Sequence, residues 1–213
     1  MKTLALITAR SGSKRVPFKN LMMLKEKPLY QWTTSLPLLQ TVDAVALSGD
    51  KLDQYVTPLK CIEIERPKEL CEDNTPHHPV ILHGLVEAEK RTQTEYDYLM
   101  LLQPTNPGRT MEEVERAVQM CEDKSPDFLY CYYVDENLSM SYLGGSPMDD
   151  GIREPWKVDG VVVRSGCVYM YKRHWIINGF PETNSMVAMR VSKARGYNLN
   201  VEEDFRIMEA LMV

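Results

Sequence analysis

The chain has 213 residues, 44% of them hydrophobic and 26% charged, the composition of an ordinary globular fold. That length buries a sizeable core without disulfide or metal staples, and it excludes collagen, low-complexity disorder and a small disulfide framework. Thirty acidic against 25 basic side chains leave a net charge of −5 at pH 7, which argues against a nucleic-acid binder working through a broad basic surface.

Leu4 to Thr8 is a short apolar run that ends in a basic, glycine-containing loop, the pattern of a buried strand feeding a turn. Leu29 to Leu39 has helical apolar spacing, with Pro28 where a helix start tolerates it. Ala44 to Ser48 reads as a second buried strand and Cys61 to Ile64 as a third. A helix follows over Val80–Arg91, then a strand over Tyr96–Leu102 stopped by Gln103-Pro104-Thr105-Asn106-Pro107. Thr110 with Glu113 three residues on is a capping-box signal, and the helix behind it runs to about Cys121. The stretch 135–160, rich in Gly, Pro and Asp, is a long connection or an excursion from the main sheet. Val161 to Lys172 is strand-like with an interruption near Ser165-Gly166, Met186 to Val191 is a short strand, and Glu202 to Met212 closes the chain as an amphipathic helix. Strands alternating with helices over the first 130 residues predict a parallel or mixed sheet covered on both faces, with ligands beyond the carboxyl ends of its strands.

Charge is unevenly placed. Residues 1–20 hold Lys2, Arg10, Lys14, Arg15 and Lys19 and no acid, a local +5, so the remainder of the chain carries −10. A cationic focus on an acidic protein suits a small anionic ligand better than a long polyanion. The five cysteines are never closer than ten residues, with no CxxC or CxxH spacing, and read as reduced core residues. Met1 to Thr8 lacks a signal-peptide layout and no stretch approaches the ~18 apolar residues of a membrane helix, so the expected location is cytoplasmic, away from membranes.

The segment Arg10-Ser11-Gly12-Ser13-Lys14-Arg15-Val16-Pro17-Phe18-Lys19-Asn20 is the most informative. Gly12 lets the backbone approach a ligand, Ser11 and Ser13 keep donors available, and four cations directly after a strand suit a triphosphate. The spacing fits neither a GxxxxGK[ST] nor a GxGxxG loop. A solvated basic turn is the plain alternative. Cys71, Asp73, His77 and His78 could be drawn as a metal site, but Pro76 and Pro79 suggest an irregular loop in which the two imidazoles diverge. The 13 methionines read as gap-filling core, Tyr130, Tyr132 and Tyr133 as strand residues, and Lys25–Lys27 and Glu112–Arg116 as solvated faces.

Ala9, Arg10, Gly12, Ser13, Lys14, Pro17, Lys19 and Asn20 match the loop A-R-x-G-S-K-x-x-P-x-K-N, and the chain resembles the acylneuraminate cytidylyltransferases, the CMP-sialic acid synthetases. Leu101-Leu102-Gln103-Pro104-Thr105-Asn106-Pro107-Gly108-Arg109 is similar to the family's L-L-Q-P-T-S-P-L-R, and residues 65–73 to its R-P-x-x-L-x-x-D. The resemblance implies a three-layer α/β nucleotide-binding fold of the nucleotide-diphospho-sugar transferase type, a single domain over 1–213, and a homodimer built by the protruding segment near 135–160. It implies transfer of CMP from CTP to the anomeric hydroxyl of a sugar acid, with Arg10, Lys14 and Lys19 catalytic. Ser13, Asn20, Arg66 and Thr75 would hold CTP, and Gln103 would face the sugar acid. For Arg66 the plain alternative is a surface cation, and for Gln103 a strand-end cap.

The family's magnesium carboxylates, D-x-D ahead of T-x-E-D, correspond to Asn198 and Asn200 here. Asparagine offers a neutral carbonyl oxygen, so Mg2+ or Mn2+ would be held without protein charge. Asn200 also reads as the N-cap of the last helix, with Glu203 at its third position. A same-fold nucleotide binder with weakened or lost catalysis is therefore the alternative, and a general anion- or protein-binding module a third.

Overall fold

The structure is a computed structural model and describes residues 1–12, 16–72, 74–136 and 161–212. In chain order the elements are β1 (Thr3–Thr8), β2 (Met23–Leu24), β3 (Lys27–Pro28), α1 (Gln31–Thr34), β4 (Ala44–Gly49), β5 (Cys61–Glu65), α2 (His77–Thr92) and β6 (Tyr98–Leu102). Then come α3 (Met111–Lys124), β7 (Phe128–Asp135), β8 (Val161–Lys172), α4 (Arg173–Ile177), β9 (Met186–Arg190), α5 (Lys193–Gly196) and α6 (Glu203–Leu211). Seven strands form one mixed sheet in the order β5-β4-β1-β6-β8-β7-β9, and β2 and β3 form a small separate ribbon. Strands β5, β4, β1 and β6 run parallel, β8 runs against both β6 and β7, and β9 is parallel to β7.

The apolar run of β1 is continuous because both sheet faces are covered. Leu4 and Leu6 pack with Ile81, Leu85 and Ala88 of α2, whereas Ala5 and Ile7 share the opposite cluster with Val114, Ala117 and Cys121 of α3. All four β1 side chains are wholly buried, each larger one contributing ~1.5–3 kcal/mol. Helix, sheet and helix are thus the three expected layers. Helix α2 lies close on β1, since a Cβ on Gly84 would stand 2.6 Å from Leu6 Cδ2. A third cluster joins Phe205 and Met208 of α6 to Val16, Leu24, Leu29 and Leu199.

Several local expectations change. The helix expected over Leu29–Leu39 is only α1, because Pro28 belongs to β3 and Pro37 breaks the pattern before a short 3-10 turn at Leu38–Gln40. Conversely, the Pro76–Pro79 stretch is no irregular loop. Pro79 lies in the first turn of α2, where its missing N–H has no intrahelical partner to lose. Glu113 is buried within a stretch expected to be solvated, because its carboxylate accepts from the Thr110 N–H (2.9 Å) and hydroxyl (2.7 Å). The interruption near Ser165-Gly166 is a bulge. Cys131 pairs with Ser165 but Tyr130 with Tyr169, so three β8 residues face no partner on β7. Of the excursion at 135–160, residues 137–160 lie outside the described residues. Among the described residues no helix is long and apolar enough to cross a membrane, and all five cysteines are unpaired.

Candidate active site

The parallel strands β1, β4, β5 and β6 deliver their carboxyl ends to one edge, and the loops that follow them enclose a cleft of about 240 Å³. Thr8 ends β1, Arg10, Gly12, Lys19 and Asn20 come from the loop after it, Arg66 and Thr75 from the loop after β5, and Gln103 from the turn after β6. The cleft therefore joins Arg10, Lys19, Asn20, Arg66, Thr75 and Gln103, six of the expected site residues. Ser13 and Lys14, with Arg15 and Asp73, lie outside the described residues.

The first loop is held by backbone and side-chain bonds. The Ala9 N–H continues the sheet to Ser48 O at 2.9 Å. Asn20, 9% exposed, donates from Nδ2 to Arg10 O at 2.9 Å, closing the loop on itself. Arg10 Nη1 reaches Cys71 O at 3.2 Å, and Lys19 Nζ reaches Leu199 O at 2.9 Å. Sequence reasoning missed the anchor of this loop, Asp50, which stands just past β4. Its carboxylate accepts the Ser11 N–H (2.7 Å) and the Ser11 hydroxyl (2.6 Å). Burial opposes ionisation of Asp50, but the Ser11 bonds and the nearby Arg66 charge outweigh it and hold its pKa below the usual carboxylate range. A lone acid after Gly49 carries no motif that would have revealed this.

Arg66 is 6% exposed, which removes the surface-cation alternative. Its Nη2 donates to Ser48 O at 2.8 Å and its Nε reaches Ser48 Oγ at 3.3 Å. Burial lowers the guanidinium pKa, Cys71 and Asp50 oppose that, and Arg10 adds to it, yet an arginine stays charged. Thr75 turns its hydroxyl to Glu69 O at 3.1 Å. His77, the first residue of α2, also lines the cleft, and burial, then Arg66 and Arg10, push its pKa below 6.5. It is neutral at pH 7. His78 points elsewhere, its Nε2 2.8 Å from Ile176 O and its ring edge-on to Phe180. The two imidazoles diverge because they start a helix.

Arg109, the last residue of the 101–109 motif, is structural. It is 3% exposed and bonds Thr33 Oγ1 (3.0 Å), Gln103 O (2.9 Å) and Cys167 O, so it fixes the turn that carries Gln103. The same turn holds the segment before α6 through the Leu199 N–H to Thr105 O at 2.8 Å.

Asn198 and Asn200 lie on this segment, outside the cleft lining but next to the Lys19–Leu199 bond. They face one another. Asn198 Nδ2 donates to Asn200 Oδ1 and Asn200 Nδ2 to Asn198 O, both at 3.3 Å. Asn198 Oδ1 is buried without a partner, so it alone has a free carbonyl oxygen to offer a cation. The nearest carboxylate, Asp204, is engaged by the N–H groups of Asn200 (2.6 Å) and Val201 (2.9 Å) and by the Tyr197 hydroxyl (2.7 Å). Asp204 thus holds the entry to α6, and Asn200 is not its N-cap; that position is Glu202. Among the described residues no three His, Cys, Asp or Glu side chains gather as a metal-ligand group. One neutral oxygen without carboxylates does not make a protein cage for a divalent ion.

Comparison with known proteins agrees with this architecture. The profile of the family described as "Cytidylyltransferase" matches residues 4–56. The solved structure of a CMP:2-keto-3-deoxy-manno-octonic acid synthetase complexed with CTP aligns with a TM-score of 0.71 at 19% identity, covering 100% of this chain and 98% of that one. Rv0371c of Mycobacterium tuberculosis H37Rv, solved as a complex with manganese, aligns with a TM-score of 0.63 at 10% identity over 99% of each chain. The fold is of the nucleotide-diphospho-sugar transferase type. In sequence, the N-acylneuraminate cytidylyltransferase of Escherichia coli O18:K1:H7 is 32% identical over 56% of this chain and 28% of its own length. The CMP-N,N'-diacetyllegionaminic acid synthase of Legionella pneumophila is 31% identical over 56% of this chain and 53% of its own. These matches span 28% and 53% of the two relatives' lengths, so the chain is similar to each over part of that relative only.

Proposed function

We propose that the chain transfers CMP from CTP to the anomeric hydroxyl of a nonulosonic, sialic-acid-like sugar acid and releases pyrophosphate. The observation that carries this reading is the gathering of Arg10, Lys19, Asn20 and Arg66 with Gln103 in a single cleft beyond the parallel strand ends. The sugar oxygen bonds the α-phosphorus in line as the bond to pyrophosphate breaks, and negative charge grows on the α-phosphate and the leaving group. Arg10, Lys14 and Lys19 offset that charge, and Ser13, Asn20, Arg66 and Thr75 hold the nucleotide. Gln103 faces the sugar acid. A divalent ion enters as part of the nucleotide substrate, held by the CTP phosphates. A homodimer built through the 135–160 segment and a cytoplasmic location belong to the same proposal.

Calorimetric titration with CTP, against ATP and GTP, tests the first half of this reading, and pyrophosphate release with a panel of sugar acids the second. CTP-selective binding followed by release supports it; no binding to any nucleotide overturns it. The absence of carboxylates at Asn198 and Asn200 favours a second reading, a nucleotide binder of the same fold whose catalysis is weakened or lost. CTP binding indifferent to magnesium, without pyrophosphate release, selects that reading. Restoring charge with Asn198→Asp and Asn200→Asp then gives magnesium-dependent binding if the pair stands where the family's carboxylates do.

A further inference from the structure

Asn106, in the turn after β6, is wholly buried. Its Nδ2 donates to Tyr197 O (2.9 Å) and Gly196 O (3.1 Å), so the nitrogen end of this amide is fixed by two carbonyls that only a donor can satisfy. Oδ1 must then point the other way, and it is buried with no hydrogen-bond partner. It ends beside Gln103, over Gly166. A Cβ built on Gly166, in the β8 bulge, would stand 2.5 Å from Asn106 Oδ1 and closer still to Gln103 Oε1. Both side-chain amides therefore end over the same glycine, which admits them only because it carries no side chain. The Gln103 amide makes no hydrogen bond to any described residue.

Two carbonyl oxygens aimed at one spot without a donor between them repel, and half a turn about the last bond of a glutamine exchanges its oxygen and nitrogen ends. We propose that Asn106 is a positioning residue: its Oδ1 accepts a hydrogen bond from Gln103 Nε2, which turns Gln103 Oε1 into the cleft as an acceptor. Gln103 Oε1 then accepts a hydrogen bond from a hydroxyl or an amide N–H of the second substrate. This assignment of a substrate group rests on the reading of the cleft as a cytidylyltransferase site; the orientation of the amide does not.

The orientation is measured first, by side-chain amide NMR on the nitrogen-15-labelled protein without ligand, with the Gln103 signals identified by their loss in Gln103→Met. The expected result is Gln103 amide protons that exchange with solvent at least tenfold more slowly than those of exposed Gln40 and that shift in Asn106→Ser. Exchange as fast as that of Gln40 overturns the proposal. In kinetics, Asn106→Ser raises KM for the sugar acid at least fivefold and leaves KM for CTP within twofold. An equal rise in both constants, or none, overturns the positioning role. Failure of every sugar acid to turn over counts against the proposed function alone, since the exchange measurement needs no substrate.

Discussion

Replacing Arg66 by methionine separates binding from stability more cleanly than any other change in the cleft. In the fold Arg66 makes one good bond, 2.8 Å from Nη2 to Ser48 O, and one long contact of 3.3 Å to Ser48 Oγ. Losing the first does not orphan its acceptor, because Ser48 O also takes the Ala9 N–H at 2.9 Å. Methionine fills most of the same volume and removes the desolvation of a buried cation, so the loss of ~1 kcal/mol for a hydrogen bond is largely offset. Stability should change by no more than ~1 kcal/mol, or about 2–4 °C in Tm for a domain of this size. Binding is different. A charge-assisted bond to a ligand contributes ~1.5–3 kcal/mol, so the affinity for CTP should fall about 10- to 150-fold. Titration calorimetry with CTP and a thermal melt of the same sample measure both. An affinity within twofold of the parent with an unchanged Tm would refute a nucleotide-facing Arg66. A Tm loss above ~10 °C would mean that the guanidinium is structural.

Four further outcomes are expected. Asp50→Ala frees Ser11 and with it the first loop, weakening CTP by several-fold. Asp50→Asn removes the acid-side loss of stability that a carboxyl with a lowered pKa brings, a contribution present above the unfolded value of ~3.9 and lost as pH falls through the folded one; thermal melts from pH 5 downward read it. His77 is held below pKa 6.5, so the unfolded chain takes up a proton that the folded one refuses, and stability declines as pH drops below ~6.5. His77→Gln should make that slope shallower without abolishing it, because His83 is shifted in the same direction; an unchanged Tm-against-pH curve would contradict the burial argument. Gly84→Val drives a branched side chain into Leu6 and should cost ~1–3 kcal/mol, seen as a lower denaturation midpoint in urea.

The parts of the fold that could be read from residues are those decided locally. The runs at Leu4–Thr8, Ala44–Ser48 and Tyr96–Leu102 had to be strands because nothing helical fits such short apolar stretches bounded by turn formers, and their order implied the parallel edge. Thr110 with Glu113 marked the start of α3 correctly, although the burial of Glu113 depends on how the helix docks. What escaped were consequences of tertiary contact. Pro79 looked like a helix breaker until its place in a first turn was known. Asn200 looked like a cap until Asp204 was found reaching back to its N–H. Asp50 and His77 acquire their settings from loops remote in sequence, and no spacing rule connects Ser11 with a carboxylate 39 positions away. The basic loop, Arg66 and Gln103 were named beforehand because their motifs are contiguous.

The bond from Lys19 to Leu199 spans 180 positions, and the bond that holds Leu199 to Thr105 spans about half as many. A chain emerging from the ribosome therefore makes the loop after β1 long before the strap that fastens it. For most of translation the strands β1, β4 and β6 can pair and cover their faces while the cleft between them stays unlatched on one side. The cleft is fastened on that side only when Leu199 and its neighbours dock. Early-synthesised chain can be compact without being able to hold its ligand.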